Sequence, residues 1–147
     1  DFTIQTQEDI ITALGSTTAS FRSLLGWVAG VSLLVGGIGI MNIMLVSVTE
    51  RTREIGIRQA VGASPGDIEG QFLIEALIMS LTGGALGVIA GVAGAYIFGH
   101  TSNMPTVISS GSIALSFASA AAVGIFFGVF PARKAARLDP IQALRHE

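Results

Sequence analysis

The sequence contains no cysteine, and only 12% of its 147 residues are charged, whereas typical soluble domains have about 25%. The lack of cysteine excludes a disulfide framework, a thiolate metal site and a cysteine nucleophile. The few charges are unevenly distributed. Residues 23–49 carry none, and residues 76–132 carry no formal charge, with His100 as their one side chain that ordinarily titrates near neutral pH. The net charge of −2 is therefore less informative than the positions of the charges.

The two uncharged runs predict membrane-spanning helices. A bilayer core about 30 Å thick takes about 20 apolar helical residues to cross. The first run is long enough for one crossing and the second for two. Only helices and closed barrels satisfy the backbone in lipid, and the runs lack the strict alternation of strands. We predict an all-α membrane protein with three transmembrane helices, over about 24–48, 72–98 and 113–130, the last ended by Pro131.

An apolar face recurs in the segment before the first span. Ile10, Leu14 and Phe21 lie on one side of a helix, and Asp9 is a plausible N-cap. Serine and threonine fill the positions between them, so we predict an amphipathic stalk leading into the membrane. A short helix on the membrane surface is the alternative. Residues 1–8 are expected to end a preceding extramembrane domain. The chain starts with Asp and not Met, and we expect it to be a piece of a longer polypeptide.

A charged cluster separates the first and second spans. The cluster mixes both signs, although acidic residues contribute little to membrane orientation. It also carries three apolar side chains that are costly to expose together. We predict a short helix over about 50–61 that docks on a partner. Its candidate contact residues are Glu50, Arg51, Arg53, Glu54, Ile55, Ile57, Arg58, Val61 and Gly62. A solvated loop that only sets orientation is the alternative.

Helix-ending and helix-starting residues follow that cluster directly. Gly62 is a typical helix stop. Ser64 is a candidate N-cap, Pro65 suits the first helical position, and Asp67 falls at the capping-box position. The sequence therefore predicts a sharp turn between the short helix and the second span.

Small residues recur every four positions in the second span and are frequent in the third. Such residues let helix backbones approach closely in lipid. We predict that they mark tight helix–helix contacts, made by Gly83, Gly87, Gly91, Ala95, Gly124 and Gly128.

Basic residues set the predicted orientation. They are concentrated between the first two spans and after the third, while residues 99–112 contain no lysine or arginine. By the positive-inside rule, the charged cluster and the C-terminus are cytoplasmic, and the N-terminus faces outward. In the tail, Asp139 and Pro140 are expected to start a short helix over 141–145.

No enzymatic constellation is present in the sequence. His100 is the one histidine near the spans, the spans hold no aspartate, and no GxxxxGK[S/T] phosphate loop occurs. We therefore predict no catalytic residue, no metal site and no bound cofactor in this chain, which is not expected to act as an enzyme alone. We expect contact with membrane lipid and none with nucleic acid.

Four segments resemble a known family. The stretch Asp1–Gln7, the run Leu34–Arg58 and the tail Pro131–Arg145, together with Gln71–Ala76, are similar to MacB-type permeases of ABC transporters, also called FtsX-like. The resemblance covers nearly the whole chain, and Thr49–Arg58 is its most specific part. The Ser64–Gly66 stretch is less typical of the macrolide-exporting members.

The resemblance implies a place in a larger machine. Family members are dimeric bacterial inner-membrane proteins, and this chain is similar to their last three helices, with 1–8 as the end of a periplasmic domain and 9–147 as the membrane domain. ATP and Mg would be bound by a partner ATPase domain or chain below the 50–61 helix. The implied function is transmission of ATP-driven motion to the periplasmic side, for export of macrolide- or peptide-type substrates with a periplasmic adaptor and an outer-membrane channel. A lipoprotein-release permease and an FtsX-type regulator of cell-wall hydrolases are the alternatives.

Overall fold

The computed structural model describes residues 7–103, 105–139, 141 and 143. In this part of the chain, four helices follow one another: α1 (Gln7–Glu50), α2 (Thr52–Ala60), α3 (Pro65–Ser102) and α4 (Ser110–Ala136). No strand occurs among the described residues. Three of the helices, α1, α3 and α4, are long and apolar enough to cross a membrane. The prediction of an all-α protein with three spanning helices is thus confirmed.

The chain divides into two units, residues 1–35 and residues 36–147. The described part of the first unit is helical throughout, belongs to α1 and buries no side chain. The stalk candidates Ile10, Leu14 and Phe21 lie on it, exposed by 48%, 63% and 62%. The helix already includes Gln7 and Glu8, so the prediction that Asp9 caps it was wrong: Asp9 lies within the first turn. Most of the predicted domain end over 1–8 falls outside the described residues, and the amphipathic stalk stays a prediction.

The second unit contains the hydrophobic core. Its buried cluster takes residues from the end of α1, from α2, from the start of α3 and from the end of α4: Met44, Val48, Ile55, Ile68, Phe72, Ala76, Ala132 and Ala135. Except for Ile55 of α2, each of these residues lies towards the α2 end of a long helix. Helices in lipid associate mainly through van der Waals packing, so this closely packed cluster concentrates the cohesion of the unit around α2.

Helices α3 and α4 pack through small residues. A Cβ on Gly128 would lie 2.6 Å from the Cβ of Ala76, one on Gly124 would lie 2.6 Å from the Cβ of Ser80, and one on Gly84 would lie 2.8 Å from the Cβ of Ala120. Each step of four along α3 meets a step of four backwards along α4, so the two helices are antiparallel. We call this set of six residues the α3–α4 seam. In addition, the Ser80 hydroxyl donates a hydrogen bond across it to the Ala120 carbonyl.

The small residues predicted on α3 lie elsewhere. Gly124 and Gly128 of α4 are in the seam, but a Cβ on Gly83, Gly87 or Gly91 would meet no atom within 4 Å. These three glycines are exposed and Ala95 is only partly buried. The helix contact predicted for them is therefore not made by the described residues of this chain. Helix α3 carries two small-residue rows with the same spacing, and the spacing alone does not tell which row faces α4.

The end of α4 also differs from expectation. Pro131 does not end the helix, which continues to Ala136. Proline lacks the N–H that would bond the carbonyl four residues earlier, but Pro131 is fully buried and is followed by the buried Ala132, Ala135 and Ala136. Packing of this turn offsets the missing hydrogen bond. Of the tail helix predicted over 141–145, residues 141 and 143 are helical, whereas 142, 144 and 145 lie outside the described residues.

Candidate functional site

The candidate site is built around α2, the short helix between the first two spanning helices. Arg51 separates it from α1, and the Thr52 hydroxyl bonds back to the carbonyls of Val48 and Thr49 at 3.0 and 2.8 Å. Ile55 and Gly56 form the buried side of α2. The predicted short helix over 50–61 thus exists as Thr52–Ala60 and is attached to the core through one face.

The turn after α2 has the geometry of a Schellman motif. Gly62 N–H donates to the Gln59 carbonyl at 3.1 Å, and Ala63 N–H donates to the Arg58 carbonyl at 2.9 Å. Gly62 has a φ of +110°, a backbone conformation that glycine adopts without a Cβ penalty. The prediction that Gly62 stops the helix is confirmed.

Helix α3 begins with the predicted capping box. The Ser64 hydroxyl accepts from Asp67 N–H at 3.2 Å, while Asp67 Oδ2 accepts from the Ser64 backbone N–H at 3.1 Å, and Pro65 occupies the first turn. Hydrogen bonds from the Ser64 hydroxyl and backbone lower the pKa of the Asp67 carboxyl. This group precedes the apolar part of α3. With two capped ends and a two-residue gap between the caps, α2 and α3 are connected without a flexible linker.

Three ion pairs surround the same region. Arg51 Nη1 lies 3.3 Å from Glu75 Oε2, and Arg133 Nε lies 3.4 Å from Glu69 Oε1. Arg58 pairs with Glu54 on its own helix. Surface ion pairs of this kind are each worth about 0–1 kcal/mol, so their main effect is to fix positions. The first pair connects the α1–α2 junction with α3, and the second connects α3 with α4.

Arg58 also reaches α3 through a neutral partner. Its Nη1 donates to Gln71 Oε1 at 2.6 Å. The side chain thus connects α2 with α3 across the Gly62 turn.

The outer face of α2 exposes both charge and apolar surface. Ile57 is 48% exposed and Val61 is 85% exposed. Among the described residues, the side chains of Glu50 and Arg53 take part in no hydrogen bond or ion pair. We call four exposed residues in and next to α2 the outer face: Glu50 at the end of α1, Arg53 and Ile57 of α2, and Val61 directly after α2. It combines an acidic group, a basic group and two aliphatic side chains, which is a chemistry suited to contact with another protein.

Not every predicted contact residue belongs to that face. Ile55 is 3% exposed and belongs to the core, so its assignment to a partner interface is corrected: it holds α2 on the bundle. Arg51, Glu54 and Arg58 are exposed but take part in the ion pairs described above, and Gly62 shapes the turn.

Sequence reasoning missed Gln59. Its Nε2 donates to the backbone carbonyl of Ala136 at 3.2 Å, joining α2 to the last residue of α4. Its Oε1 is buried and has no hydrogen-bond partner among the described residues. A polar residue within a helix that is attached to a core was the available signal, but its partner lies 77 residues away and no spacing rule indicates it.

Comparison with known proteins supplies the class. Residues 26–140 match the family model described as FtsX-like permease C-terminal. The chain is 51% identical over 146 residues to the macrolide export ATP-binding/permease protein MacB of Bdellovibrio bacteriovorus, covering 99% of this chain and 22% of that protein. It is 47% identical over 146 residues to the uncharacterized ABC transporter permease YknZ of Bacillus subtilis, covering 99% of this chain and 37% of that protein.

The fold, the α2 site and these matches together define the membrane part of an ABC transporter permease. The chain belongs to the FtsX-like permease family, as its motifs predicted. Three apolar helices and this family make it a multi-pass inner-membrane protein. The chain spans about a fifth to two fifths of the length of the two relatives named above.

Proposed function

We propose that α2 receives the movement of an ABC ATPase and that the helices attached to it carry this movement to the opposite side of the membrane. The observation that carries the proposal is the division of α2 into two faces. Ile55 and Gly56 attach it to the core, while Ile57 and Val61 are left exposed beside unpaired charges. Two aliphatic side chains exposed next to charges, outside the apolar parts of the spans, favour contact with another protein over a simple connection between two spans.

The orientation of the chain supports this role. Every basic residue of the second unit lies in the α2 region or at and beyond the end of α4, and the segment between α3 and α4 contains none. By the positive-inside rule, we expect α2 and the C-terminus in the cytoplasm, where ATP is available, and the N-terminus in the periplasm. ATP and Mg would be held by the ATPase and not by this chain, which has no phosphate loop.

The substrate proposal rests on relatives. Proteins named as macrolide exporters are 51% and 52% identical to this chain over 99% and 100% of its length. We propose export of macrolide- or peptide-type molecules by a dimeric permease working with a periplasmic adaptor and an outer-membrane channel. In this scheme the helices transmit force rather than line a polar pathway, because the apolar spans lack the charged residues that such a pathway usually needs. Among the relatives, none named above favours lipoprotein release or regulation of cell-wall hydrolases.

The test is an uncoupling experiment on the intact transporter in liposomes. Ile57→Asp places a charge in the outer face, and we expect export to fall about tenfold or more, as for loss of a central contact residue. Expression and melting temperature should not change, since Ile57 is not in the core. Thr49→Asp is the matched control, because it places the same charge on an exposed position one turn before α2. Normal export by Ile57→Asp, with ATP hydrolysis still stimulated, would rule out α2 as the receiving element.

A further inference from the structure

One hydrogen bond that the proposed role of α2 does not explain joins Gln59 to the end of α4. The last carbonyls of a helix have no intrahelical donor and need another partner. For Ala136 the residue four positions on is Pro140, which has no N–H to offer. Among the described residues, the Gln59 amide is the one donor to this carbonyl.

The orientation of the Gln59 amide follows from its partner. A carbonyl oxygen accepts and cannot donate, so the NH₂ of the amide must face Ala136. The Oε1 atom is then left buried without a donor. A buried unpaired acceptor is costly, and a side chain that served only to fill space would not incur that cost. The arrangement is explained if the connection to α4 is what the residue provides.

The connection has a mechanical consequence. Helix α2 is joined to α3 by the Gly62 turn and by Arg58 with Gln71. Its contact with α4 is different in kind: Ile55 packs in a shared core with Ala132 and Ala135, and Gln59 supplies a directional hydrogen bond. Apolar contacts are non-directional, whereas a hydrogen bond requires a particular distance and angle, so the bond to Ala136 favours one position of α2 along α4.

We infer that Gln59 is a positioning residue that joins α2 to the C-terminal end of α4, so that movement of α2 reaches α4 directly as well as α3. The inference rests on the proposed function of α2. Movement of α2 is then transmitted to two helices, α3 and α4. In addition, α2 and the end of α4 move as one rigid body throughout the nucleotide cycle.

The first measurement is coupling in the intact transporter. Gln59→Met keeps the length of the side chain and removes the donor. We expect export per ATP hydrolysed to fall about fivefold, the factor that corresponds to the net contribution of one hydrogen bond, with hydrolysis itself retained. Gln59→Lys, which restores a donor, should recover most of the loss. Gln7→Met, an exposed glutamine of α1, is the control and should behave as the wild type. If Gln59→Met exports normally, or if Gln59→Lys is no better, the inference is wrong.

The second measurement separates positioning from stability. Spin labels on Ala60→Cys and Arg137→Cys, two exposed positions flanking the contact, report the distance between α2 and the end of α4. We expect one narrow distribution, unchanged between the nucleotide-free and the ATP-trapped transporter, and a broader one in Gln59→Met. If the wild-type distance changes with nucleotide, the inference that α2 and the end of α4 move as one rigid body is wrong. Ile57→Asp distinguishes the two proposals. If Ile57→Asp uncouples export from ATP hydrolysis and Gln59→Met does not, only the inference about Gln59 is wrong. If neither variant uncouples them, the proposed role of α2 is wrong.

Discussion

Arg51 and Glu75 meet across 24 residues of sequence, with Nη1 and Oε2 3.3 Å apart. Arg51 stands at the break between α1 and α2, and Glu75 stands one residue before the uncharged run that fills the rest of α3. The pair thus ties the α1–α2 junction to the point where α3 enters its apolar part.

This pair gives the first prediction. Glu75→Arg places two like charges together and should weaken coupling while lowering stability by no more than about 1 kcal/mol, because both partners are partly exposed. The double variant Arg51→Glu/Glu75→Arg restores opposite charges and should recover coupling. Thermal unfolding and ATP-driven export measure the two effects. A double variant as impaired as Glu75→Arg would show that the positions of the charges, and not their attraction, matter.

The second prediction concerns the α3–α4 seam. Gly128→Leu forces a side chain into the space of the Ala76 Cβ, and overpacking of this kind costs about 1–3 kcal/mol or more. We expect lower yield and a lower melting temperature in detergent. Gly83→Leu, made on the open side of α3, is the control and should leave the melting temperature unchanged.

The third prediction concerns assembly and the row of exposed glycines on α3, Gly83, Gly87 and Gly91. A Cβ added at Gly87 or Gly91 would meet no atom within 4 Å, so Gly87→Leu and Gly91→Leu should not unfold the domain. If another helix packs on this row, as small residues in lipid often indicate, both variants should weaken assembly of the transporter without changing its monomer stability. Wild-type assembly by both variants, measured by size-exclusion chromatography with light scattering, would mean that this row faces lipid.

A fourth prediction follows from the turn between α2 and α3. Gly62→Val puts a β-branched side chain at a φ of +110°, where backbone strain is of order 1–3 kcal/mol, and should lower both stability and coupling. Gly66→Ala is the matched control: its Cβ would meet the Ser64 hydroxyl at an ordinary 3.8 Å, and alanine is the better helix former by about 1 kcal/mol. Equal melting temperatures for the two variants would contradict the importance of the left-handed turn residue.

The orientation gives a fifth prediction. The chain has no native cysteine, so a cysteine introduced by Val61→Cys or Val107→Cys is its one reactive thiol. The two positions are exposed by 85% and 92%. In intact cells an impermeant maleimide should react with Val107→Cys alone, and after permeabilisation with both. Reaction of Val61→Cys from outside would reverse the topology.

The sequence was sufficient for features that depend on local chemistry. The three spanning helices follow from the length of the uncharged runs, and the turn follows from Gly62, Ser64, Pro65 and Asp67, each of which acts on backbone groups within a few residues. These features need no knowledge of the tertiary structure.

Features that depend on packing could not be predicted in the same way. Gly83 and Gly84 are neighbours in sequence, yet only Gly84 faces α4, because adjacent helical positions point about 100° apart. From the sequence alone, Pro131 predicts the end of a helix, and only its burial in the structure explains why α4 continues beyond it. The contact of Gln59 with Ala136 depends on how two distant helix ends are brought together, and neither residue type indicates the other.

The distribution of burial along α3 and α4 has a consequence for local opening. The buried positions of α3 run from Ile68 to Ser80, and those of α4 begin at Ala120. Residues 85–102 and 110–119 bury no side chain within the described chain. In deuterium exchange, amides near α2 should therefore be protected longest, with protection decreasing towards the opposite ends. In the isolated chain, α3 and α4 should therefore open least near α2 and most at their opposite ends. At those opposite ends, order depends on the surrounding lipid or protein.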